Sequence, residues 1–534
     1  MLVEFKTISY LWPEIILILT ATLIMLCGAL MRPRNWWHPA ALVAYVVVVL
    51  VLRFMPIWGP IRGTPSGPLA ADYLGNLIRG MSLLIGLLFT MMAIRRSTPE
   101  SSPARRWDNE FIGAIMLIVT GLMLVSQVND LILLFVGMEL VSIPTYVVLY
   151  LGKRGSLAAE STMKYFFLGI LSSALLLYGF SFLYGVTGTS VLVGTADAPG
   201  MREILMGNDA ISKWLTMLQI GIVLIVAGIG FKIAAVPFHF YAPDVFQGTS
   251  NSNAGLLAVA PKIAGIIALI RLLVAVVPTS ETFSWQLLMI LALLTMTVGN
   301  VCALWQTNLR RLMAFSSIAH AGYMLIGITV AMAAGNDLVE MGLAGTIFYL
   351  IVYSFASIGT FAALVFLSQD REIHRIDELR GLSQTQPIVA AALAIFMFSL
   401  AGIPPLAGFW GKMTLFGSAI TMATNPATAS GDGIWFAVLA IVGAINAAIA
   451  ATYYLRIIAV MFFRPPQLSH ESTGSWGSFA AMLSCTLLVV FVGLFPGSVM
   501  RSSNKAARSS RPYELPTVIH LSQPKATDKL TSLD

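Results

Sequence analysis

Apolar runs of about eighteen residues or more recur along this 534-residue chain. Each is long enough to cross a lipid bilayer as a helix. Such runs leave lipid as the only workable solvent, because 57% of the residues are hydrophobic and only 11% charged. Soluble domains carry about 25% charged residues. The short alternating segments of a membrane β-barrel are not visible. The chain therefore reads as an all-α integral membrane protein of about fourteen transmembrane helices. We place the spans at 11–31, 38–57, 72–94, 110–126, 128–151, 160–187, 214–236, 252–276, 284–304, 309–333, 339–367, 386–422, 433–462 and 475–498. Residues 1–500 form one polytopic domain, and 501–534 read as a polar, basic tail with poor order.

The formal charge of +7 does not point to nucleic acid, because the basic residues cluster in loops. Loops after odd-numbered spans carry fourteen Arg and Lys, whereas those after even-numbered spans carry only Arg62, Arg202 and Lys213. Positively charged loops stay cytoplasmic, so both termini are expected on the opposite side of the membrane. The basic residues of the tail run against this pattern. Cys27, Cys302 and Cys485 lie far apart in apolar runs, which indicates neither a disulfide framework nor a metal site. The first run lacks a clear small-residue cleavage site.

Two spans look broken. The seventh reads Gly230-Phe-Lys232-Ile-Ala-Ala-Val-Pro237-Phe-His239, and the twelfth Ala401-Gly-Ile-Pro404-Pro405-Leu-Ala-Gly408-Phe-Trp-Gly-Lys412. Proline removes a helix donor and clashes with the preceding turn. In a membrane such a break survives only where protein or a wet cavity covers it. Paired interruptions suggest an inverted-repeat transporter. Spans four to eight (about 110–276) and nine to thirteen (about 284–462) would be the two five-helix repeats, each with its break in the fourth helix. The lysine precedes the proline in one break and follows it in the other.

A charged side chain at mid-membrane costs about 2.5–3.5 kcal/mol on insertion scales, so it is a functional candidate by default. Five stand out: Glu139, Lys164, Lys232, Lys262 and Lys412. Burial disfavours an ammonium and a nearby carboxylate favours it. Alternating the two can make a lysine hold and release a proton. A row of such sites linked by water is a relay without substrate chemistry. Each residue also has a plainer reading. Lys164 could snorkel to the interface, Lys262 could pair with Asp244, Lys232 could satisfy freed carbonyls, and Glu139 could form a structural salt bridge. His239 and His320 are secondary relay candidates, with a hydrogen-bonded core role as the alternative. Asp72 and Arg79 could pair structurally. Tyr146, Tyr323 and Tyr353 are mainly packing residues that could also hold water.

No nucleotide-binding glycine loop, iron–sulfur cysteine spacing or haem-ligating histidine pair is present,. The energy for transport must come from an ion gradient or a partner.

Five motifs together are specific: Gly137-Met138-Glu139 through Pro144-Thr-Tyr146; Lys164-Tyr165; Gly230-Phe-Lys232 through His239 to Pro243-Asp244-Val-Phe-Gln247-Gly248; Gln306-Thr-Asn308-Leu-Arg-Arg311 through Ser316-Ser317-Ile-Ala-His320-Ala-Gly-Tyr323; and Ser399-Leu-Ala-Gly-Ile-Pro404 through Lys412. Over residues 10–500 the chain resembles the antiporter-like membrane subunits of respiratory complex I. Within them it is most similar to the subunit N branch of bacterial NADH–quinone oxidoreductase, the counterpart of mitochondrial subunit two. The glutamate follows Gly-Met rather than forming a Trp-Glu pair, Asn308 stands where the L and M branches usually show an aspartate, and Lys412 stands where M carries a glutamate.

The resemblance implies a proton-translocating, non-redox subunit. Glu139 and Lys164 would form the pair at the input half-channel, and Lys232 and Lys262 the central groups. His320 would connect to the second half, with Lys412 on the exit side. It implies that NADH, FMN, iron–sulfur clusters and quinone are handled by other subunits and no cofactor by this chain. The implied partners are an M-type neighbour, small K/J/A/H-type subunits and lipid, with no nucleic acid. The alternative is a subunit of an Mrp-type sodium/proton antiporter, which shares the motifs; a purely structural scaffold is the bland rival.

Overall fold

The computed structural model describes residues 10–510, apart from 31–36, 55–66, 95–107, 154, 195–197, 280, 335–336, 369–371, 426–431 and 467–473. The arginines expected to orient the chain at 32, 34, 62, 95, 96, 105, 106, 154 and 371, and the tail beyond 510, lie outside the described residues. Among the described residues every regular element is a helix, with three isolated β-bridges tying loops together. A chain in lipid must satisfy its backbone within each segment, and helices do so.

In order these are α1 (Trp12–Leu30), α2 (Trp37–Phe54), α3 (Tyr73–Ala93), α4 (Asp108–Ser126), α5 (Leu131–Gly152), α6 (Ser156–Thr187), α7 (Met201–Met206), α8 (Asn208–Ile233), α9 (Ala242–Gly248) and α10 (Asn251–Leu269). Then come α11 (Thr282–Leu304), α12 (Leu309–Ala333), α13 (Asp337–Leu367), α14 (Leu382–Thr385), α15 (Pro387–Ala401), α16 (Ala407–Thr424), α17 (Gly433–Phe463), α18 (Trp476–Leu494) and α19 (Gly497–Ser509). A π-helical turn, Ile270–Val274, extends α10. Short polar side chains cap several spans: Asp72 accepts from Gly75 N, Asp130 from Ile132 and Leu133 N, Ser250 from Asn253 N and Asn308 from Arg311 N. Each satisfies a donor that a helix start leaves open.

Among the described residues thirteen helices are long and apolar enough to cross a membrane. The remaining expected span, 386–422, is two pieces, α15 and α16, separated at Gly402–Leu406. The seventh span likewise stops at Ile233, and α9 follows the turn. Both first pieces end on a left-handed residue, Ala234 (φ 58°) and Gly402 (φ 87°). Their N–H groups bond back to the last turn, Ala234 to Gly230 and Phe231 and Gly402 to Phe398 and Ser399. The second piece then passes close over the first: a Cβ on Gly408 would run into the Ser399 carbonyl oxygen. We expect Gly408→Ala to destabilise the protein by about 1–3 kcal/mol, read as a lower midpoint in heat unfolding of the purified protein. An unchanged midpoint would mean the break is loosely packed.

Among the described residues four helices form most of the interior, α4 with 83% of its stretch buried and three others more so. The membrane-crossing stretches of α12, α10 and α13 are 100%, 94% and 89% buried, whereas those of α1 and α2 are 28% and 22% buried and form the rim. Polar groups on the inner four therefore face protein rather than lipid, where they can be partnered. Helices α11 and α12 meet through glycine: a Cβ at Gly299 would lie 2.6 Å from Ala319 N, and one at Gly322 2.6 Å from Met296 N. Small residues allow that approach.

Two expectations need correction. Asp72 and Arg79 do not pair with each other. Arg79 is fully buried and donates to both carboxylate oxygens of Glu14, at 2.7 and 2.6 Å, and to the Tyr10 carbonyl. Asp72 is instead clamped by both nitrogens of Arg271 at 2.6 Å, from the π turn after α10. The tail does not begin at 501, because α19 continues to Ser509. Every three to four residues its Ser503, Ala506 and Ala507 turn inward, packed with α3 and α13, and Ser509 accepts from Leu74 N. That spacing is the signature of an amphipathic helix.

Candidate functional site

The seventh-span break brings three helices to one point. Lys232 sits in the last turn of α8, two residues before the left-handed Ala234. Two of the carbonyls at the break are served by the turn itself: Phe231 O accepts from Ala234 N and Tyr241 Oη, and Gly230 O from Ala235 N. The Lys232 ammonium is thus left to reach across the bundle. It donates to Ser142 Oγ of α5 at 2.6 Å and Ser173 Oγ of α6 at 3.3 Å, and lies 3.6 Å from Glu139 Oε1. Ser173 in turn donates to Glu139 at 2.5 Å. Glu139 and Ser142 are three residues apart on α5, hence on one face. The lysine side chain is 5% exposed and the glutamate 20%. Ser173 alone of the two hydroxyls joins the cation to the anion, since Ser142 donates to the Met138 carbonyl, and Lys232, Ser173 and Glu139 form a short chain of groups able to pass a proton, with Glu139 at its wetter end.

Lys164 does not join this group. It lies nine residues before Ser173 on α6, about 13 Å along the helix axis. Its side chain is 40% exposed, and its ammonium pairs with Glu160 at 2.7 Å and Asp244 at 3.0 Å. Asp244 is shared with Arg311 at 2.8 Å, which also holds Gln247. Among the described residues no ion pair links Glu139 to Lys164, so the Glu139–Lys164 pairing implied by the resemblance is replaced by Glu139–Lys232. Asp244 is likewise not the partner of Lys262.

Lys262 stands alone. It is 3% exposed on α10, and among the described residues no hydrogen bond or ion pair reaches it. The preceding Pro261 removes a ladder donor from the same helix. One turn back, the Ala258 carbonyl accepts from Tyr353 Oη at 3.1 Å, and that hydroxyl is 2.7 Å from Ser317 Oγ of α12.

His320 occupies the centre of α12. Its Nδ1 lies 2.6 Å from Tyr349 Oη and its Nε2 2.9 Å from Tyr454 Oη, which also bonds Ser316. The Tyr353 ring packs 4.9 Å away. The helix of His320 packs against both α10, which carries Lys262, and α16, which carries Lys412. His239 is different. It is half-buried in the turn before α9, and no hydrogen bond ties it to the Glu139–Lys232 cluster among the described residues.

Lys412 satisfies the second break. Its ammonium donates to the carbonyls of Leu400 and Ala401, at 3.0 and 2.8 Å, at the end of α15. A cation suits a helix C-terminus. The ammonium also sits 5.0 Å from the centre of the Tyr323 ring. Asn300 donates to Tyr323 Oη at 3.1 Å and to Asn446 at 3.2 Å, and accepts from Tyr453 at 3.0 Å. Reasoning on charge alone missed Ser142, Ser173, Ser316, Tyr349, Tyr454, Asn300 and Asn446. The usable signal was the hydroxyl or amide spaced three or four residues from a named charge, as Ser142 is from Glu139 and Ser316 from His320.

A profile described as "NADH:quinone oxidoreductase/Mrp antiporter, TM" matches residues 128–431, which contain Glu139, both breaks and all four lysines. The chain is 33% identical over 499 residues to NADH-quinone oxidoreductase subunit N of Paramagnetospirillum magneticum, covering 93% of this chain and 96% of that one. The chain belongs to the subunit N family of these oxidoreductases. Subunit N of the F(420)H(2) dehydrogenase of Methanosarcina mazei is also 33% identical, over 95% of this chain and all of that one. A chain of respiratory complex I from Thermus thermophilus superposes with a TM-score of 0.72 at 30% identity, covering 92% of this chain and 98% of that one.

Proposed function

We propose that this chain carries protons across a bacterial inner membrane as a non-redox subunit of an NADH–quinone oxidoreductase. The observation that carries this reading is the buried Lys232 ammonium, bound by two serine hydroxyls 3.6 Å from Glu139. A buried charge bonded to exchangeable hydroxyls beside a partly exposed carboxylate suits proton relay better than structure alone, because a scaffold has no use for its cost. Membership of the subunit N family supports it. The relay runs from Glu139 through Lys232 and Lys262 to His320 and Lys412. Lys164 acts on the aqueous side through Asp244, and His239 serves at most as a side branch. The chain binds no NADH, flavin, iron–sulfur cluster or quinone; other subunits carry them. An M-type antiporter-like subunit and small K/J/A/H-type subunits are its neighbours, and both termini face the periplasm. The two inverted repeats are supported by breaks that share a left-handed residue three positions before a proline.

The matched family also takes in Mrp antiporters, and this favours one rival reading: sodium/proton exchange without a redox partner. Purification from native membranes separates them. Flavin and iron–sulfur proteins should accompany this chain; small antiporter subunits in their place would overturn the redox reading. In the reconstituted complex, Glu139→Gln should lower protons moved per electron by about 10²-fold, the scale of one lost acid–base group. A normal ratio in that variant would sink the relay.

A further inference from the structure

A second charged cluster lies away from the relay, where the start of α12 meets the segment 372–376. This segment is docked on α12 by its backbone: Leu309 N donates to His374 O at 2.8 Å, and Ile376 N to Thr307 O at 3.2 Å. Its side chains reach a second helix. Glu372 pairs with Lys153 at the C-terminal end of α5 at 2.5 Å, and it also lies 3.6 Å from Arg310 and from His374 Nε2. Glu372 thus links the end of α5, the helix of Glu139, to the first turn of α12, the helix of His320.

The state of His374 governs how that carboxylate is shared. Arg310 is 1% exposed and directs one nitrogen to the Thr249 carbonyl and another to His374 Nδ1 at 2.8 Å. A guanidinium can only donate, so Nδ1 must accept and the imidazole is neutral in this arrangement. The groups facing it are Arg310 from α12, Lys153 from α5, Glu372 beside it and Glu378, whose carboxylate accepts from His374 N at 3.0 Å. Adding a proton to Nδ1 sets N–H against N–H and displaces Arg310. The new imidazolium then draws Glu372 away from Lys153.

We propose that His374 and Glu372 form a proton-operated latch between α5 and α12, closed when His374 is neutral and opened when it is protonated. The proton comes from the aqueous phase, since the His374 side chain is 44% exposed. Partial burial, and the Arg310 and Lys153 charges, hold the imidazole below its ordinary range. The neutral form is therefore the folded state's preference. The latch is closed above the usual histidine value and lost as pH falls through the lowered one. Acid on that face would loosen the link between the helix of Glu139 and the helix of His320.

The inference rests on the proton-relay reading, and the test separates the two. Asparagine presents an acceptor close to Nδ1 but does not titrate, so His374→Asn keeps the latch closed. In proteoliposomes of the whole complex, protons moved per electron should fall about twofold or more in the parent between about pH 7.5 and pH 5.5. In His374→Asn the ratio should stay flat. Deuterium exchange at the amides of Leu309–Phe315 should quicken with acid in the parent and not in the variant. The latch is overturned if the parent shows no such step, or if His374→Asn shows the same one. Lys232→Ala should slow pumping by about 10²-fold or more at every pH; if it does not, the relay reading fails, whatever His374 does.

Discussion

Lys232→Ala is expected to slow proton passage by about 10²-fold or more, the scale on which a positioned acid–base group acts, while the complex still assembles. Proton uptake by dye quenching in proteoliposomes, set against NADH oxidation in the same vesicles, would measure it. The residue has no substitute nearby: both serines that bind it lack a charge, and Lys262 sits on another helix. Lys232→Arg sharpens the test. Arginine retains the cation opposite Glu139 and so the packing, but it does not give up its proton in a protein. A structural ion pair would tolerate arginine, whereas a relay would not. Full pumping in Lys232→Arg would therefore assign the lysine to structure.

Arg79→Met is expected to cost about 3–5 kcal/mol, the penalty for breaking a buried ion pair from one side. Glu14 would be left buried between α1 and α3 with Gln127 as its remaining side-chain donor, 2.8 Å away. The readout is the fraction of assembled protein surviving a heat step in detergent. Removing both charges, with Glu14→Gln and Arg79→Met, should recover most of the loss, because no lone carboxylate is then stranded. Protons moved per electron should stay normal in whatever survives, since the pair lies outside the proposed relay. A single variant as heat-resistant as the parent would show the pair to be dispensable.

Span positions were legible because hydrophobicity along a chain is a local property, and the lipid requirement for complete runs is absolute. The two breaks were legible for the same reason: Pro237, Pro404 and Pro405 remove donors wherever they fall. The residues of the proposed relay were visible as costly charges in apolar runs. Their pairings were not. Glu139 and Lys164 sit on adjacent spans, yet Lys164 falls about two and a half helical turns from Ser173 and finds Asp244 at the protein's edge. The same holds for Arg79, which reaches back to Glu14 across 65 positions, and for Arg271, which reaches Asp72 across 199. Helix azimuth and depth decide such contacts, and neither is written in sequence spacing.

Lys232 and Lys412 show the division most clearly. By itself the sequence determined that both are membrane-buried lysines beside a proline break, because each of those facts depends only on a residue and its near neighbours. It could not assign them different tasks. Tertiary structure did so: backbone N–H groups and Tyr241 satisfy the first break, freeing Lys232 for Glu139 and two serines, whereas Lys412 itself bonds the open carbonyls of Leu400 and Ala401. An ammonium goes to whichever unmatched acceptor its packed surroundings leave within reach, and only the folded bundle decides which acceptors those are.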